Sequence, residues 1–144
     1  MNRKSLKAPV IKGLATIAAG LFIGYAGFAT GQGTLSLGGD QEVPPVATAA
    51  KGSGSITVGA DMSVSGKITT TGVAGTMAHI HTGAAGSNGP VTVPLEKDGD
   101  NGWKVPAGAK LTEAQYADYK AGKLYVNVHS AANKGGEIRA QLKP

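Results

Sequence analysis

Glycine interrupts this chain so often that no long helix can be drawn through it. There are 23 glycines in 144 residues, and the segments between them are short and rich in Thr, Val and Ser. A glycine inside a helix costs about 1 kcal/mol relative to alanine, whereas short β-branched runs bounded by turn residues read as strands. The expectation is an all-β fold, a sandwich or barrel with one short helix. The length suits one domain with a modest core.

The expected elements follow one another along the chain. TLSLGG (34–39) opens the sheet, and QEVPPV is a loop, because adjacent prolines cannot donate to a central ladder. GSGSITVG (52–59) and MSVSGKITT (62–70) read as a hairpin turning at Ala60-Asp61. VAGTMAHIHTG is the next strand, AAGSNGP a loop, VTVPLE one further strand, and KDGDNG a polar turn before Trp103. LTEAQYADYKAGK is the helix candidate, with Thr112 to cap it, Glu113 in its first turn and Gly122 to end it. KLYVNVHS and GGEIRAQL close the chain. If Ala131 to Gly135 is their loop, Val128 faces Ile138 and Val126 faces Ala140, so both apolar rows meet one core. Tyr125, Asn127 and His129 then share the other face with Gln141, Arg139 and Glu137.

The net charge of +5 is concentrated at one end. Arg3, Lys4, Lys7 and Lys12 precede residue 13 with no acid among them. Removing those four from the fourteen basic residues leaves ten against nine acids. So balanced a chain offers no electrostatic footprint for nucleic acid. The basic opening is followed by GLATIAAGLFIGYAGFA and then TGQG, which reads as a secretory signal peptide over residues 1–29, ahead of a domain over 30–144. Gly27 and Ala29 fit the small positions that a peptidase needs. The alternative is retention as an uncleaved anchor, the one route to a membrane, although three glycines dilute the run below the ~20 strongly apolar residues that a crossing requires. The absence of cysteine excludes a lipid attachment site and any disulfide, so the core, helped by any bound ion, must stabilise an exported domain. The expected location is periplasmic or extracellular.

All three histidines fall in MAHIHTG and LYVNVHS. Alternate residues of a strand share a face about 7 Å apart, so His79 and His81 project together while Ala78 and Ile80 turn to the core. If their strand neighbours that of His129, the three imidazoles converge. Three neutral imidazoles suit copper first and zinc second, and an open fourth position would admit water, substrate or another ligand. Glu137, opposite His129, can accept its second ring N–H or act as a carboxylate ligand. Arg139 can attract an anion to the same face, and Asn127 is a further supporting or ligating group. Met77 is expected to point away by strand parity, leaving no sulfur in the site. The alternatives are a hydrogen-bonded structural cluster and unrelated exposed residues, because His-x-His alone is a weak motif.

Other patterns are less specific. Glu96, Asp98 and Asp100 alternate like calcium-loop carboxylates but lack the remaining ligands, which favours a solvated turn. Trp103 and Tyr125 are expected to be packing anchors. No nucleophile elbow or triad is visible.

QEVPPV, AHIHTGAAGSNGPVTVPL and LTEAQYADYKAGKLYVNVHSAANKGGEIRAQL together resemble the CHRD domain, the module named for chordin and found widely in exported bacterial proteins. The resemblance spans about residues 33 to 142. It implies an immunoglobulin-like or barrel-like β-sandwich and, for most of the family, no established activity. A looser similarity links the order His79, His81, His129 and a late Arg139 to the Greek-key barrels of copper,zinc superoxide dismutases. This chain departs from them: it has no bridging fourth histidine, no histidine-rich zinc loop and no cysteine. The leading expectation is therefore an exported domain that binds one copper ion for binding or buffering, with redox turnover an extension of it. The competing ones are a metal-free structural or adhesive module that associates with an envelope or extracellular partner, and a dismutase-like enzyme.

Overall fold

The computed structural model describes residues 33–144; the expected leader, residues 1–29, lies outside them. Nine strands form one antiparallel sheet: β1 (Leu35–Gly38), β2 (Lys51–Val58), β3 (Val64–Thr71), β4 (Gly75–Thr82), β5 (Val91–Pro94), β6 (Glu96–Lys97), β7 (Gly102–Lys104), β8 (Leu124–Ser130) and β9 (Ile138–Gln141). Their spatial order is β5-β4-β8-β9-β1-β2-β3-β7-β6. The two edge strands, β5 and β6, are thus the farthest apart in the sheet and yet are separated in the chain by Leu95 alone. The sheet must curl until its edges nearly meet. The all-β expectation holds, and the sheet takes the barrel-like form.

That closure corrects one expected element. VTVPLE is not one strand but two, on opposite edges. Pro94 removes a donor where an edge can tolerate the loss. Leu95 then turns inward, only 8% exposed, with its N–H on the Ala78 carbonyl at 2.9 Å. Beyond it Glu96 and Lys97 pair with β7.

The hairpin of β2 and β3 forms as expected, from Lys51 opposite Thr71 to Val58 opposite Val64. Its turn is longer than Ala60-Asp61, because Met62 takes a positive φ of 68° and Asp61 Oδ1 accepts from both the backbone N and the hydroxyl of Ser63. The helix α1 (Glu113–Lys120) has the anticipated capping by Thr112, completed by Gln115 into a reciprocal box,. Tyr119 is its buried residue.

The closing pair keeps the anticipated register: Val126 opposite Ala140, Val128 opposite Ile138 and Asn127 opposite Arg139. The core combines this row with Leu37, Ile56, Ile68, Ala78, Ile80 and Trp103. Complete burial of one such aliphatic side chain contributes about 1.5–3 kcal/mol, so a one-residue slip of β8 would forfeit several such contributions at once. Every residue of β8 is buried, on both faces, which means something covers the outer face as well.

Candidate metal centre

Loops supply that cover. β4 lies directly beside β8, with Met77 opposite His129, His79 opposite Asn127 and His81 opposite Tyr125. Directly opposed residues share a face, so the condition set by the sequence is met. The ring centroids of His79 and His129 are 4.8 Å apart, of His79 and His81 5.4 Å, and of His81 and His129 5.8 Å. One nitrogen from each of the three can be chosen so that all lie within 4.8 Å of one another. Nitrogens sharing a tetrahedral ion at 2.0–2.1 Å would stand roughly 3.4 Å apart, so the longest edge must close by at most about 1.4 Å, a matter of side-chain rotation.

The loops also set the tautomers. The Nδ1 atom of His81 meets the Gly89 carbonyl at 2.9 Å, and that of His129 meets the Lys134 carbonyl at 2.8 Å. A carbonyl can only accept, so both imidazoles carry their proton on Nδ1 and present a bare Nε2. His79 Nδ1 must then donate to His129 Nε2, 3.0 Å away. The Nε2 atom of His81 is buried and has no partner. Burial lowers the pKa of His79, with His129 and then His81 adding to the effect. Burial lowers that of His81 too, partly offset by its bond to Gly89. Both are held neutral, the form that binds a metal.

Tyr125 completes this support. Its ring stacks on His81, centroids 4.9 Å apart and nearly parallel, and its hydroxyl accepts from Gly89 N at 3.2 Å. One side chain thus orients the imidazole and the carbonyl that anchors it. A Cβ on Gly89 would run into the carbonyl oxygen of Thr82, so the anchor can approach the strand this closely only as glycine. Tyr125 is a packing anchor, as expected, and belongs to the site as well.

The remaining candidates lie around the cluster rather than in it. Arg139, only 1% exposed, sits 3.4 Å over the Tyr125 ring. Since β4 and β9 flank β8 on opposite sides, that ring stands between Arg139 and His81. The guanidinium is held by Ala84 O, Gln141 and Asn88. Glu137 accepts from Thr48 at 2.8 Å, and its pKa is lowered by Ser130, Thr48 and Asn133. It braces the base of the loop that carries Lys134, whose carbonyl takes the ring N–H of His129 expected for Glu137. Asn127 donates to Gly135 O at 3.3 Å, while its Oδ1 is buried without a partner.

Two residues were missed in the sequence. Met77 does not point away from the histidines: residues 77, 79 and 81 share parity, against the core-facing Ala78 and Ile80, and Met77 pairs with His129. Glu42, in QEVPPV, is 4% exposed, with Oε1 unpartnered. Burial raises its pKa to about 7, against the lowering influence of Asn127 and Arg139. Only its place inside a loop block gave a signal, since nothing local shows that this loop folds over β8 and β9. A Cβ on Gly136, whose φ is 130°, would strike both Glu42 and Asn127. The acidic residues around Glu96 form no such group among the described residues, and Lys97 there lies over Trp103.

No curated protein and no solved structure matches the chain. The CHRD domain model matches residues 34–142, which takes in every strand, the histidine cluster and the loops that cover it, and the chain therefore belongs to the CHRD domain family.

Proposed function

We propose that this protein is an exported metal-binding domain that holds one copper ion through His79, His81 and His129, with zinc the second candidate, and that it binds or buffers copper outside the cytoplasm. The observation that carries this reading is the pairing of His81 and His129 with backbone carbonyls. Both rings are locked with a bare Nε2 toward the cluster, and one of those lone pairs is buried with nothing to accept from. A buried acceptor without a donor costs about 1–3 kcal/mol, and a metal ion would relieve it. Three imidazoles without thiolate favour copper(II), then zinc, by affinity order. A bound copper ion supplies a Lewis-acidic and redox-capable centre; the protein's part is to hold the rings neutral and oriented and to keep most water out. Export rests on the basic and apolar leader together with the lack of cysteine. No described helix is long and apolar enough to cross a membrane.

Copper titration of the full chain followed by electron paramagnetic resonance tests the assignment. The wild type should show one site with nitrogen hyperfine structure. His81→Ala should lose on the order of a hundredfold or more in affinity, at least the penalty seen for removing an outer partner of a metal ligand. Equally weak binding by both proteins would end the copper reading.

The contact between His79 and His129 favours a second reading, a structural cluster in an adhesive or structural module. Identical unfolding midpoints with copper and with a chelator would support it. A dismutase role draws no support from Arg139, which is clamped behind Tyr125.

A further inference from the structure

We infer that Met77 is a thioether ligand at the mouth of the histidine cluster and that it gives the site a preference for copper(I). This rests on the three-histidine reading above and replaces the copper(II) preference that three imidazoles alone would give.

The register carries the argument. Gly75 pairs with Ser130 and Met77 with His129, so Thr76 is an extra residue in β4. From Met77 to Thr82 the strand keeps one register against β8, so Met77 stands on the face of His79 and His81 and directly opposite His129, and the bulge lies just beyond it. Bulges re-aim side chains and recur beside functional sites. Thr76 is itself tied down through its hydroxyl, which donates to the His129 carbonyl at 3.3 Å.

Exposure points the same way. Met77 and Val91, each 50% exposed, are the exposed large hydrophobics of the described residues, and each is opposite a cluster histidine: Met77 faces His129, and Val91 faces His81. Exposed Pro94 faces His79. Packing does not account for a half-exposed methionine in that ring. Its three rotatable bonds let the thioether swing over the neighbouring imidazoles, because opposed Cβ atoms lie about 4.5–5.5 Å apart.

The donor set then selects the ion. Among the described residues no carboxylate or thiolate joins the cluster, so every ligand is neutral, and taking a singly charged ion into a neutral, apolar-rimmed site costs less than taking a doubly charged one. Thioether sulfur is soft and prefers copper(I) over copper(II) and zinc.

The test is an anaerobic titration of the full chain with copper(I) against a chromophoric competing chelator, run on wild type and on Met77→Leu, which keeps volume and apolarity. Copper(I) affinity should fall by on the order of tenfold in the variant, the size of effect typical of losing one supporting group at a metal site, while copper(II) affinity stays about level. X-ray absorption of the copper(I)-loaded wild type should show a sulfur neighbour that the variant lacks. Equal copper(I) affinities with no sulfur neighbour would overturn the inference and leave the histidine site standing. A wild type that binds neither oxidation state would bring down the three-histidine reading and this one with it.

Discussion

The two faces of β8, with Ala78 and Ile80 of β4 on one side and His81 on the other, are buried almost equally and by different means. On the inner face Ala78, Ile80, Val126 and Val128 are each 1% exposed or less, with no polar side-chain atom among them. On the outer face His81, Tyr125, Asn127 and His129 are between 1% and 7% exposed, and each is polar. Three of the four buried polar side-chain atoms without a partner among the described residues are on Glu42, His81 and Asn127, all in the outer layer. Apolar burial accounts for the inner face. The outer face bears desolvation that its hydrogen bonds do not fully return, and the proposed metal site rests on that difference.

This contrast can be broken most sharply at Ile80, one residue from two of the histidines. Ile80→Ala should destabilise the domain by about 2–5 kcal/mol, since its cavity lies in a close-packed core, while copper affinity of the fraction still folded stays unchanged. Denaturant unfolding and copper titration on the same sample would show it. A variant that lost copper affinity without losing stability would erase the distinction between the faces.

Glu42 tests the outer layer with the opposite sign. Its carboxyl is protonated in the folded protein up to about pH 7 but ionises near 4.5 when unfolded, so the folded state holds an extra proton between those values. The associated stability is complete below 4.5 and lost as pH rises through 7. His79 and His81 act the other way: their lowered values give stability that is present above about 6.5 and lost as pH falls,. Comparing Glu42→Gln with wild type at the same pH cancels the histidines. At pH 8 the variant should be more stable, by on the order of 1–2 kcal/mol after allowance for partial solvation, and the gap should close toward pH 5. A gap of constant size across that range would mean that Glu42 does not titrate as stated.

The smallest expected effect calibrates the others. Thr112→Ala removes the helix cap far from both faces and should cost about 1 kcal/mol, read as a lower thermal midpoint with copper affinity untouched. Any loss of affinity there would show that binding follows overall stability rather than the outer layer.

Much of this was legible because short-range rules are strong. The pairing of Val126 with Ala140 and of Val128 with Ile138 follows from period-two alternation and one loop length, and the helix cap from Thr112, Glu113 and Gly122. The shared face of His79 and His81 is parity; the expectation for Met77 failed because the same rule, with its spacing of two from His79, puts it on their face. What strand parity does not contain is which distant strand lies alongside or what covers a face. That β4 neighbours β8, that VTVPLE divides between two edges, that Tyr125 touches both Arg139 and His81 and that the loops bring the Gly89 and Lys134 carbonyls to the rings all depend on closing the barrel. Sequence alone determined the longer strands β2, β3, β4 and β8, the inward faces of the closing pair and the list of imidazoles, because each follows from neighbours a few residues apart. Only the tertiary structure decided that those imidazoles meet, in which tautomers and beside which sulfur, because barrel closure juxtaposes segments some fifty residues apart, as in the contact of His79 with His129, and no local preference encodes that separation.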